Sequence, residues 1–229
     1  MKVLPLALAL ASLTVIAPAA HAAQRVATFT GTVLSGSGDA SLFGVTSLAG
    51  YGFTATYVYD DSLGTRQTLA DSDTAYGGAT FGTANPLISA TLTINGQSVD
   101  FLSPVFGEAS VASAPGSAAF LTDGVDFAGF VAHYRNFDFN VTGALPSSLD
   151  VPFSGAVTGG SHFFYQDYFS GPFGGSAIAS AVGSLEATHL TIAAVGAGGV
   201  PEPASWALLI CGFGLAGAAL RRSRRGAVA

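Results

Sequence analysis

Ala90-Thr91-Leu92-Thr93-Ile94-Asn95-Gly96-Gln97-Ser98-Val99-Asp100-Phe101 is the stretch that decides the fold class. Asn95-Gly96 supplies the two positive-φ positions that a two-residue type I′ turn requires, and it stands between segments that alternate apolar with polar residues. The turn predicts a register. With Ile94 opposite Gln97, Leu92 pairs with Val99 and Ala90 with Phe101, so the apolar residues of both strands fall on one face.

The same period of two recurs on either side. Phe29 and Val33 alternate with Thr28, Thr30 and Thr32; Phe53, Ala55, Tyr57 and Tyr59 alternate with Thr54 and Thr56. Phe137, Phe139 and Val141 alternate with Asp138, Asn140 and Thr142, and Leu185 to Ile192 supplies a last strand. Each pattern fits a half-buried strand with β-branched residues on the wet face. Turn signals separate them: Gly36-Ser37-Gly38-Asp39, Gly77-Gly78, Pro115-Gly116, Pro146-Ser147-Ser148, Gly159-Gly160 and Gly174-Gly175. Only Ser176 to Val182, bracketed by glycines, could pass for a helical turn. Short strands and frequent glycine turns predict an all-β domain, a β-sandwich or jelly-roll-like fold, over residues 23–195. No repeat of fixed period argues for a solenoid or propeller. Gly196 to Gly199 follows as a glycine-rich linker.

Both ends of the chain read as targeting segments. Lys2, the uncharged run Val3 to Ala17 and then Ala20-His21-Ala22 form the charged, apolar and small-residue zones of a secretory signal peptide, residues 1–22, with cleavage after Ala22 or Ala23. The other end begins with Val200-Pro201-Glu202-Pro203, where the two prolines hold Glu202 in an extended segment. An uncharged run from Ala204 to Leu220 follows, long enough for roughly 25 Å of helix and hence for a single transmembrane helix when flanking arginines snorkel. Arg221, Arg222, Arg224 and Arg225 close it and hold that end on the cytoplasmic side.

Pro201-Glu202-Pro203, Trp206, an apolar run carrying Gly212-Phe213-Gly214 and Gly217, and the arginine cluster together resemble the PEP-CTERM sorting signal of Gram-negative bacteria, over residues 200–225. The same segment is also catalogued at the C-terminus of ice-binding proteins. The resemblance implies recognition by an exosortase, a membrane-embedded cysteine protease or transpeptidase that processes its substrate near Pro201, Glu202 and Pro203. It implies Sec-type export, transient anchoring in the inner membrane, and delivery to the cell surface or the exopolysaccharide matrix. It does not say what the β domain does.

With the ends set aside, three arginines face thirteen acids, so the working domain is acidic, which disfavours nucleic acid and anionic lipid as partners. The only cysteine, Cys211, lies in the apolar tail, so the domain has no disulfide to hold it. Gly212-x-Gly214-x-x-Gly217 spells a dinucleotide fingerprint but follows no strand. In a membrane-type run its small residues fit helix packing instead. His133, His162 and His189 lack zinc-type spacing. Asp60-Asp61, Asp71-x-Asp73 and Asp123-x-x-Asp126 stand in turn-like contexts where calcium finds oxygen ligands, with Asp71 and Asp73 the first suspects, although aspartate also simply favours turns. No Gly-x-Ser-x-Gly elbow exists, and carboxylate pairs for glycoside hydrolysis can be drawn from thirteen acids at will. The aromatic stretch His162-Phe163-Phe164-Tyr165, with Tyr168, Phe169 and Phe173, is either core or a sugar-stacking face.

The expectation is an exported protein that is not an enzyme and needs no cofactor, calcium being the one candidate. A carbohydrate-binding module is the alternative, with ice binding behind it because Thr91-x-Thr93 alone is too short an array. A secreted hydrolase ranks last.

Overall fold

The hairpin read from Asn95-Gly96 is present with the register its turn dictates. In the computed structural model, which describes residues 24–171 and 174–195, Asn95 and Gly96 have φ of 52° and 74°. Leu92 pairs with Val99 and Ile94 with Gln97, and the Phe101 N–H donates to the Ala90 carbonyl at 2.7 Å. The Asn95 side chain ties the turn to the rest of the fold by donating to the Phe43 carbonyl at 3.1 Å.

Among the described residues eleven strands form one antiparallel sheet. In chain order they are β1 (Arg25–Gly38), β2 (Gly52–Tyr59), β3 (Thr65–Thr68), β4 (Ser72–Gly77), β5 (Leu87–Ile94), β6 (Gln97–Asp100), β7 (Phe106–Ala112), β8 (Ser117–Ala128), β9 (Val131–Gly143), β10 (Phe153–Gly171) and β11 (Gly174–Ala194). Among the described residues a one-turn helix α1 (Ala40–Phe43) and a 3-10 turn at Ala79–Phe81 are the helical pieces. The spatial order is β3-β4-β7-β8-β9-β10-β11-β1-β2-β5-β6. Strands β3 and β6 remain edges, so the sheet curls into a half-barrel without closing.

The curl brings the apolar face of β1 and β2 over that of β8 and β9. Phe29 stacks on Phe139 with ring centroids 4.3 Å apart, Tyr57 stacks on Phe137 at 5.2 Å, and Phe120 meets Phe29 edge-on at 5.6 Å. These rings are fully buried. Two phenols within the core keep their hydroxyls satisfied, Tyr57 donating to the Phe137 carbonyl and Tyr59 to the Leu149 carbonyl, as buried polar groups must be.

The all-β expectation holds, whereas the two-sheet sandwich or jelly roll gives way to one continuous sheet. The reason lies in glycines that read as turns. Gly159-Gly160 sits inside β10 and Gly36 to Gly38 inside β1, and the ladder shifts register between Ala156 and Gly159 and between Thr30 and Gly31. A Cβ on Gly31 would overlap the Glu186 carbonyl, and one on Gly159 the Asn140 carbonyl. Strands therefore bend through the corner at bulges rather than ending there. Ser176 to Val182 is likewise strand, part of β11, and not a helical turn. Among the described residues no helix is long and apolar enough to cross a membrane. The signal peptide, the glycine linker and the Ala204 to Leu220 span lie outside the described residues.

Candidate functional site

The first and last described residues lie side by side at one end of the half-barrel. Arg25 opens β1 opposite Ala194 of β11, and the Val195 N–H donates to the Gln24 carbonyl at 2.7 Å. Pro201, Glu202, Pro203 and the arginines at 221, 222, 224 and 225 follow beyond Val195, outside the described residues.

At that same end a carboxylate cluster surrounds one guanidinium. Asp73 points inward from β4 and is fully buried, because Ser72–Gly77 alternates and its odd positions face the core. Arg66, on the neighbouring β3, holds it with two bonds, Nε to Oδ1 at 3.0 Å and Nη2 to Oδ2 at 2.6 Å. Thr68, Ser148 and the Leu149 N–H also donate to Asp73. Burial alone would raise the Asp73 carboxyl, but these donors outweigh it and pull the pKa down to about 2. Arg66 further pairs with Asp150, at 2.7 Å, and with buried Asp61. Asp61 goes the other way: burial pushes its carboxyl up against the attraction of Arg66, and Asp150 and Asp73 add to the rise.

Oxygens of Asp61, Asp73 and Asp150 lie within 4.8 Å of one another, the spacing of a cation site. Arg66 occupies the position such a cation would take. Of the two calcium suspects, Asp73 joins this cluster; Asp71 stands exposed before β4, its backbone carbonyl bound by the Ser113 N–H. Sequence reading singled out Asp61 through the Asp60-Asp61 pair but missed Arg66 and Asp150. A signal was available: the domain has three arginines, and each faces a carboxylate, Arg25 with Asp150, Arg66 with Asp73, and Arg135 with Asp167.

The second polar cluster lies toward the opposite end, on β9 and β10. Asp167 accepts from Arg135 at 2.6 Å and from Tyr165 at 2.9 Å, and its Oδ1 lies 2.8 Å from His133 Nδ1. Burial opposes ionisation, yet these partners hold its carboxyl below the ordinary aspartate value. Arg135 stacks on the Tyr165 ring at 3.7 Å and Phe101 packs on that ring edge to face, so Tyr165 is engaged inside the fold. Phe163 is buried, Tyr168 lies against Gly175, and Phe164 and Phe169 are exposed. His189 lies 3.2 Å from Ser154 on the outer face, and His162 is exposed near Asp138.

That outer face carries an array no single strand reveals. Thr191, Thr28, Thr56 and Thr91 are successive cross-strand neighbours on β11, β1, β2 and β5, and Thr30, Thr54, Thr93 and Ser98 form the next row. Neighbouring strands are about 4.8 Å apart and alternate residues about 6.7 Å apart along a strand, so the hydroxyls and methyls form a two-dimensional grid. Between Thr30, Thr32, Thr54, Thr93 and Thr188 the surface dips into a shallow open depression.

Neither the comparison with curated proteins nor that with solved structures returns a match. Against family models, residues 199–225 match the PEP-CTERM protein-sorting motif. The segment that begins four residues beyond Val195 is therefore a PEP-CTERM sorting motif, and it marks the chain as an exported protein directed to exosortase-type machinery.

Proposed function

We propose that this chain is a non-enzymatic protein of the cell surface or exopolysaccharide matrix, exported through its first 22 residues and processed by an exosortase-type enzyme near Pro201-Glu202-Pro203. One observation carries the proposal: the sorting motif at residues 199–225. The side-by-side exit of both ends of the domain supports it, since two membrane-directed segments leaving one end let the half-barrel stand clear of the bilayer on one side. A binding or scaffolding role is favoured over catalysis because the carboxylates of both clusters are engaged in ion pairs with arginine. The Ser154 and His189 pair also lies on an open face, with no acid bound to the ring among the described residues. The test is the mass of the mature protein at both ends. It should begin at Ala23 or Gln24 and end near residues 201–203; recovery of an uncut Met1 to Ala229 chain from the cell surface would contradict it.

A second reading, a carbohydrate-binding module with ice as the other ordered surface to consider, draws support from the threonine grid. Thr91 and Thr93 make too short an array alone, but four strands extend them to two rows. Sedimentation with insoluble polysaccharide and inhibition of ice recrystallisation separate the two ligands.

A further inference from the structure

Strands β8 to β11 run on as a four-stranded ribbon past their neighbours. The pairing of β7 with β8 stops at Asp123, and that of β1 with β11 stops at Ala181. At the end of this ribbon Phe127, Phe130, Phe169 and Ile178 are 71%, 64%, 41% and 58% exposed. Phe127 lies opposite Ala132, and Phe169 opposite Val131, one register step on. Successive steps point to opposite faces, so apolar side chains project from both sides of the ribbon, and Phe130 at the turn meets Phe169 edge-on with ring centroids 6.4 Å apart.

We propose that this tip inserts into the interfacial layer of an uncharged lipid surface. A protein partner would cover one face of the ribbon, whereas apolar groups on both faces and at the turn call for a fluid phase that surrounds them. Charge supports the same occupant. No charged residue occurs from Phe127 to Ala132 or from Tyr168 to Gly183, and the first ionisable groups inward are Asp126, His133, Arg135 and Asp167. In this collar Asp126 and His133 lie three residues from the Gly129-Phe130 turn, with Asp167 at the same register level, about 10 Å along the strands, close to the depth at which amphipathic segments sit in a membrane interface. Deeper entry is opposed by the collar and by the backbone groups along the edges of the ribbon, which would lose water without gaining a partner. Acidic Asp123 and Asp126 near the collar favour zwitterionic over anionic lipid. The tip lies at the far end of β11 from Val195, so this contact is separate from the sorting tail and does not rest on it.

The test uses the full chain with Cys211→Ser and an environment-sensitive fluorophore on Ala128→Cys, mixed with phosphatidylcholine vesicles carrying a shallow lipid-borne quencher. The label should shift to shorter wavelength and be quenched, while the same label on Gln67→Cys at edge strand β3 should stay in water. Phe127→Ser with Phe169→Ser should lower the quenched fraction roughly tenfold or more, with the melting midpoint little changed because Phe127 is largely exposed and Phe169 packs chiefly on the exposed Phe130. A label at residue 128 that stays water-accessible on vesicles would overturn the proposal. So would protection without lipid that grows with protein concentration, which would make the occupant a second copy, or protection that appears only with added polysaccharide.

Discussion

Replacing Arg66 with methionine removes the one cation shared by three carboxylates, two of them buried. Asp73 loses two of the five donors it now has and keeps Thr68, Ser148 and the Leu149 N–H. Breaking a buried ion pair from one side costs about 3–5 kcal/mol. Because the Arg66 side chain is itself 31% exposed, solvent screens part of the loss, and the lower end, about 3 kcal/mol, is the expected value. For a domain of this size that corresponds to a drop of about 6–12 °C in melting midpoint. Urea unfolding at pH 7 measures it, and the loss should shrink as pH falls and the stranded carboxylates take up protons. Asp73→Asn combined with Arg66→Met should cost less than the sum of the two single changes. Millimolar calcium should leave the natural protein's midpoint unchanged, since Arg66 fills the cation position, and should partly rescue Arg66→Met. A loss under about 0.5 kcal/mol in Arg66→Met, the range of ordinary surface substitutions, would refute the claim that this cluster locks the base of the half-barrel. A calcium-induced rise in the natural protein would show that the ion displaces the arginine.

Gly96→Val should destabilise by about 1–3 kcal/mol through positive φ alone, because a Cβ there meets open space; an unchanged unfolding midpoint would mean the turn tolerates another geometry. Stability should depend on pH with two opposed limbs. Asp61 and Asp138 are raised by burial, so the folded state takes up their protons more readily than the unfolded chain and stability rises as pH falls from neutral toward about 4. Asp73, held at about 2, contributes about 2 kcal/mol that is present above pH 4 and lost as pH falls from 4 to 2. In unfolding curves over pH 2 to 7, Asp61→Asn should flatten the first limb and leave the second. On the outer face, Thr30→Val with Thr54→Val keeps shape and removes hydroxyls, so it should change stability little while abolishing any polysaccharide or ice binding that the grid supports. Binding that survives in both assays would exclude the grid.

Strand identity and register were legible wherever alternation and a defined turn agreed, as in β5 and β6 and in the buried rows of Phe53 to Tyr59 and Phe137 to Val141. What failed was the meaning of glycine. Gly36 and Gly159, read as turns, lie inside the long strands β1 and β10, and a single sequence does not distinguish a residue that turns the chain from one that lets two backbones close up. The acid cluster was half legible: Asp73 and Asp61 each stood out in a turn-like pair, but their meeting with each other and with Asp150 was not, because Asp61 and Asp150 come to Asp73 from loops 12 and 77 residues away, brought there by the curl. The threonine grid was illegible for the same reason, since its rows run across strands and its members are spread from Thr28 to Thr191.

The sorting claim meets its most direct test in a host that has the exosortase-type enzyme. Glu202→Ala and Pro203→Ala leave the apolar run and its arginines intact, so membrane insertion should persist while processing stops. The measurement is the molecular mass and cell fraction of the protein. The expected result is an uncut, membrane-retained form in both variants against a shortened surface form of the natural chain. A shortened, surface-released form in both variants would contradict the account, because an ordinary tail anchor is indifferent to either change.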